Sequence, residues 1–169
     1  DLFESNNTIL AKDSDWQTNY ALRINSNGSV EFYAVDATNS YWYGYYTGAN
    51  VIRAGKWHHI ALTHLFGSDE FNIYVNGMPV LGTAYGDPLN GPYNAEHGLF
   101  YLGAIAVNPG EPPGRFLKGG LDDVRVWKAL RTQQEIAGQY LAPLTGGEAG
   151  LVAYWKLDEG AGAAAADAT

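Results

Sequence analysis

Five aromatic residues within six positions, Tyr41, Trp42, Tyr43, Tyr45 and Tyr46, are the densest candidate for chemistry in this chain. Ring faces left open to water stack on the apolar C–H surface of pyranose sugars, so such a run can hold carbohydrate with few hydrogen bonds. Successive side chains of a strand point to opposite sides. Trp42 and Tyr46 should therefore share one face and Tyr41, Tyr43 and Tyr45 the other, unless a bulge at Gly44 intervenes. One of the two sets is expected to face solvent. The competing reading is that tyrosine is a good strand former whose ring covers the sheet while its hydroxyl reaches water. Tyr85 and Tyr93, in the connection after Leu81, complete a candidate sugar-binding set of Tyr41, Trp42, Tyr43, Tyr45, Tyr85 and Tyr93.

Two other groups have the right residue types for chemistry. His58 and His59 could ligate a metal or act as a base, but neighbours on a strand diverge and cannot chelate one ion. Asp122-Asp123, beside Gly119-Gly120, could combine carboxylate and backbone oxygens around calcium, which takes six to eight of them. The same pair could instead bond backbone amides and a nearby Arg125 or Arg131. Catalysis is not expected. Glycosidase chemistry needs two carboxylates flanking one bond, whereas Asp69-Glu70 falls in a turn and Asp158-Glu159 at a strand end. No G-x-S-x-G elbow, phosphate-cradling glycine loop or H-E-x-x-H is present.

The chain that must position these groups has 169 residues, enough for one sizeable core. Charged residues make up 17% and aromatics 14%, with 21 glycines, a balance that suits a turn-rich β protein. A net charge of −8 disfavours nucleic acid and anionic membrane surfaces. It is compatible with neutral sugars and with cations. There is no cysteine, so disulfides say nothing about compartment. No apolar run reaches the roughly 20 residues of a membrane helix. Asn6-Asn7-Thr8 and Asn27-Gly28-Ser29 fit the glycosylation sequon.

Alternating apolar patterns predict strands near 8–12, 19–25, 29–36, 41–47, 57–65, 71–76, 98–103, 120–127 and 151–157. Asn25-Ser26-Asn27-Gly28 and Asn76-Gly77 supply turn residues that tolerate positive φ. Thr132 and Glu135 stand at capping-box spacing, so a short helix should begin at Thr132. The connections 81–98 and 108–114 are too turn-rich for regular structure and should form variable surface loops. Many short strands with one short helix imply an all-β, antiparallel two-sheet jelly-roll sandwich.

Three motifs then agree in order and spacing: Trp57-His58-His59-Ile60-Ala61, Tyr74-Val75-Asn76-Gly77, and Leu121-Asp122-Asp123-Val124-Arg125-Val126-Trp127. The chain resembles the laminin G-like branch of the concanavalin A-like lectin/glucanase superfamily, over roughly residues 8–140. That resemblance implies a non-catalytic, extracellular or cell-surface module that binds a polysaccharide or glycan or serves in adhesion. It makes the His58-His59 pair a framework feature. It also implies one structural calcium, held by Asp122 with Asp158, Glu159 or Asp167.

A further family signature, GLVAYWKLDEGAG at 150–162, ordinarily opens such a module and here closes the chain. The expected organisation is a jelly-roll domain over 1–142, a linker over 143–149, and an opening strand plus mobile tail over 150–169. Asp1 in place of Met suggests a processed or excised chain. The terminal strand could complete its own sheet, belong to the next repeat of an array, or add to a neighbouring molecule. In that last case the protein would be a self-assembling structural brick, joined through residues 150–157 to further copies of itself.

Overall fold

The computed structural model describes residues 7–14, 17–36, 42–65, 68, 70–87, 98–106 and 112–169. In chain order the strands are β1 Asn7–Ser14, β2 Gln17–Ile24, β3 Val30–Val35, β4 Trp42–Thr47, β5 Ile60–His64 and β6 Phe71–Val75. They continue with β7 Met78–Val80, β8 Gly82–Gly86, β9 Leu99–Leu102 and β10 Val124–Trp127, then the helix α1 Gln133–Gln139 and β11 Leu151–Trp155. All pairings are antiparallel. One sheet runs in the order β8-β4-β3-β2-β1-β9, and β5-β6-β7 and β10-β11 form two smaller ones.

Turn chemistry explains the local hairpins. Gly28 at φ 76° closes β2 to β3, with Asn25 N donating to Ser29 O at 2.9 Å. Asn76 and Gly77 have φ of 52° and 77°, both left-handed as a primed two-residue turn requires. Gly77 has a second constraint, because a Cβ there would lie 2.9 Å from Ala137 Cα in the helix. Thr132 caps α1 as its spacing predicts: its hydroxyl accepts from Glu135 N while the Glu135 carboxylate accepts from Thr132 N at 2.8 Å.

Alternation places the core between the layers. From the six-stranded sheet, Leu22, Ile24, Val30, Phe32, Ala34 and Tyr43 pack against Phe71, Ile73 and Val75 of β6. Phe71 sits 5.3 Å from the rings of both Phe32 and Tyr43. The β10-β11 pair rests on the same face, where Trp155 stacks on Phe100 of β9 at 5.9 Å. These contacts make an antiparallel jelly-roll sandwich, with one short helix among the described residues.

Two local expectations need correction. The connection after Leu81 contains β8, which pairs with β4 from Tyr43↔Gly86 to Thr47↔Gly82. Its sequence, GTAYG, has no apolar alternation, so the edge of β4 rather than propensity makes it a strand. The terminal segment also returns to the fold. Ala168 N donates to Tyr154 O at 2.8 Å, and Asp167 bridges Trp155. β11 itself pairs with β10 of the same chain, from Val124↔Trp155 to Trp127↔Leu151.

Candidate functional site

The site is built on the outer face of the six-stranded sheet, and Gly44 makes it possible. β4 runs without a bulge against β3, so Trp42, Gly44 and Tyr46 share one face and Tyr43 and Tyr45 the other. Gly44 pairs with Tyr85 of β8, and the Tyr85 ring lies in the space that a Gly44 Cβ would occupy. Tyr85 is thereby held between two exposed rings, edge-on to Trp42 at 5.3 Å and tilted to Tyr46 at 5.8 Å. Trp42 is 53% and Tyr46 41% exposed. The three form an aromatic row along β4 with ring surface open to water.

Beside the row a buried carboxylate is fully engaged. Glu31 accepts from Arg23 Nε and Nη2 at 3.0 and 3.1 Å, from Asn25 Nδ2 at 2.8 Å and from the Tyr85 hydroxyl. Arg23 also lies over the Tyr33 ring at 5.0 Å. Burial alone would raise the Glu31 pKa, but the bonds from Arg23, Tyr85 and Asn25 and the Arg23 charge outweigh it and hold the carboxyl below its usual range. Burial and the bond to Glu31 push the Tyr85 phenol well up, so it stays a donor. A notch of about 360 Å³ opens here, lined by Asn25, Asn27, Ser29, Glu31, Tyr46 and Tyr85. An apolar platform next to a polar notch can stack one sugar ring and hydrogen-bond the hydroxyls of its neighbour.

The Glu31 network makes a pH prediction. Its folded pKa lies below the unfolded value of about 4.3, so its stabilisation is complete above that value and is lost as pH falls through the folded value. Urea midpoints should fall between about pH 5 and pH 3, and Glu31→Gln should flatten that slope. Equal slopes in the two proteins would mean that the carboxylate is not linked to folding.

The other sequence-based candidates are dispersed. Tyr41 and Tyr93 lie outside the described residues. Tyr43, 7% exposed, is part of the core. Tyr45 packs against that core and its hydroxyl accepts from Gly82 N at 2.7 Å. Neither can offer a ring face to solvent, because their parity on β4 points them inward. His58 Nε2 accepts from Arg53 N at 3.2 Å, while the His59 ring lies 5.4 Å from Tyr140, so the pair diverges.

The calcium set is not assembled. Asp167 Oδ1 accepts from Tyr154 N and Thr169 N, both at 3.0 Å, and Glu159 accepts from Ala166 N at 2.7 Å. Asp122 and Asp158 are exposed. Asp123 accepts from the Tyr154 hydroxyl and sits 3.6 Å from Arg125. Among the described residues no three His, Asp or Glu side chains converge as a cation would require. Two of the four carboxylates named for the ion, Asp167 and Glu159, already accept backbone amides.

Sequence reasoning missed the Glu31–Arg23–Asn25 network and the placement of Tyr85 over Gly44. Arg23 and Glu31 sit at mirror positions about the five residues Asn25–Ser29, and hence directly opposite across the hairpin, a register set by the bond from Asn25 N to Ser29 O. No helix among the described residues is long and apolar enough to cross a membrane. No curated protein and no solved structure matches the chain. A family model does match, over residues 3–137, and with the two-layer antiparallel fold it shows that the chain belongs to the concanavalin A-like lectin/glucanases superfamily.

Proposed function

We propose that this is a non-catalytic, extracellular carbohydrate-binding module that holds a neutral glycan on the outer face of its six-stranded sheet. The observation that carries this reading is the row of Trp42, Tyr85 and Tyr46 beside the notch under Glu31. Exposed ring surface in a row along β4, with neighbouring rings inclined by 75° and 53°, can contact successive units of an extended sugar chain, and the chain's net charge of −8 disfavours acidic glycans. Glu31 supports binding rather than catalysis. It is ionised and already accepts four donated bonds, whereas a general acid needs a raised pKa and a proton to give. The alternative, a brick joined to other copies through residues 150–157, is less well supported because that strand is already paired within its own chain.

A glycan array probed in calcium and again in chelator tests the proposal. Binding to neutral oligosaccharides is expected under both conditions, and Trp42→Ala should weaken it roughly tenfold, equivalent to about 1.4 kcal/mol, with little change in unfolding midpoint. An array blank under both conditions sinks the lectin reading, and binding that vanishes in chelator would restore calcium to the site.

A further inference from the structure

The outer face of the six-stranded sheet is open only in part. Ile105 packs on Ala11, Ala21 and Tyr33, which covers the end of the face toward β1. What stays open is the row of Trp42, Tyr85 and Tyr46 with the notch under Glu31. The turn that walls the notch is fixed through its backbone. Asn25 N donates to Ser29 O and Gly28 N to Asn25 O, both at 2.9 Å, and Asn50 N donates to Asn27 O at 2.8 Å. Polar groups held on such a frame discriminate between ligands, because a ligand without the matching group leaves them unpaired.

The groups still free to bond decide what the notch can read. An ionised carboxylate has about four lone-pair sites. Glu31 already accepts from Arg23 Nε, Arg23 Nη2, Asn25 Nδ2 and the Tyr85 hydroxyl, so it has little to offer a sugar hydroxyl. The Arg23 guanidinium beside it also compensates its charge. Asn25 uses both amide hydrogens, donating to Ser29 Oγ at 3.1 Å and to Glu31 Oε2 at 2.8 Å, which leaves its Oδ1 as an acceptor. Asn27 is the reverse: its Oδ1 accepts from Ser29 N at 3.0 Å, which leaves its Nδ2 as a donor. These bonds fix which way each amide points. Neither remaining group has a partner among the described residues. The notch therefore presents one amide acceptor and one amide donor, next to the rings of Tyr46 and Tyr85.

We propose that the notch recognises the acetamido group of a 2-acetamido sugar, so that the glycan on the aromatic row is one with N-acetylated units. This rests on the carbohydrate-binding reading and adds the substrate class. The acetamido N–H donates to Asn25 Oδ1 and its C=O accepts from Asn27 Nδ2. Its methyl group lies against the rings of Tyr46 and Tyr85, where apolar surface is available to cover it. A hydroxyl at the same carbon is too short to meet both amides at once, and an ammonium finds no free carboxylate.

The test is calorimetric titration of the whole chain with three oligosaccharides of one length and linkage, built from N-acetylglucosamine, glucose or glucosamine. The acetylated chain is expected to bind roughly tenfold tighter than either of the others, the equivalent of one or two net hydrogen bonds. Asn27→Asp keeps the bond from Ser29 N and removes only the free donor, so it should cut that preference to about threefold or less. Trp42→Ala should weaken all three and leave their order unchanged. Equal affinities, or tightest binding of the glucose or glucosamine chain, overturn the proposal and leave the carbohydrate reading standing. If none of the three binds while the array shows another glycan, the proposal again fails alone; a blank array sinks both. The side-chain amide resonances of Asn25 and Asn27 give a second readout that needs no variant. They should shift with the acetylated chain and not with the glucose chain, and unchanged resonances at saturation overturn the proposal.

Discussion

Tyr154→Ala is expected to lower the unfolding free energy by about 3–5 kcal/mol, the range for deleting a large buried ring. Tyr154 has no exposed surface and is the largest fully buried side chain among the described residues. Its ring lies under Arg125 at 5.5 Å and Lys156 at 5.8 Å, and its hydroxyl donates to Asp123. Its backbone also matters, since Tyr154 N donates to Asp167 and Tyr154 O accepts from Ala168 N. One residue thus joins β11 to the turn before β10 and to the returning tail. An isolated two-stranded ribbon is marginal in water, so β10-β11 depends on such packing to stay in the sandwich. Tyr154→Phe separates the contributions. It keeps the ring and loses only the hydroxyl, and Asp123, partly exposed, can be solvated in its place, so about 1 kcal/mol is expected. Urea denaturation of both variants measures the difference. If alanine costs no more than phenylalanine, β11 is only loosely docked.

Much of the fold was legible because its determinants are local. The turns at Asn25–Gly28 and Asn76-Gly77 depend on backbone tolerance at single residues, and the capping box at Thr132 and Glu135 on one spacing. The parity of positions 41–46 was equally readable, since alternation along a strand needs no knowledge of its neighbours. Which parity faces outward was not, because the pattern Trp-Tyr-Gly-Tyr-Tyr is aromatic on both sides. The decision rests with Phe71, which draws Tyr43 into the core from a strand almost thirty residues away. β8 was hidden for a related reason: its five residues become a strand only because β4 offers an edge. The calcium expectation came through resemblance alone, and the chain's own hydrogen bonds use Asp167 and Glu159 otherwise.

Gly44→Ala is expected to abolish most sugar binding while changing stability by only about 1–2 kcal/mol. The added Cβ would lie 2.2 Å from Cζ and 2.4 Å from the hydroxyl oxygen of Tyr85, far inside van der Waals contact. The Tyr85 ring must swing away, since Gly44 is fixed by pairing to Tyr33 on one side and Tyr85 on the other. That movement breaks the Tyr85 bond to Glu31, a hydrogen bond to a charged group worth about 1.5–3 kcal/mol. Replacing glycine within a strand returns about 0.5–1 kcal/mol through lower unfolded-chain entropy, so the net loss is modest. The loss of function is larger, because the row of Trp42, Tyr85 and Tyr46 loses its central ring and the notch under Glu31 loses a wall. Affinity for the glycan that binds best on the array should fall more than tenfold, with the urea midpoint only slightly lower. Tyr85→Phe is the matched control: the ring stays over Gly44 and only the hydroxyl is lost, so most of the affinity should survive a comparable loss of stability. If Gly44→Ala binds as tightly as the parent, the sugar does not lie along β4. The aromatic row would then be ordinary strand surface.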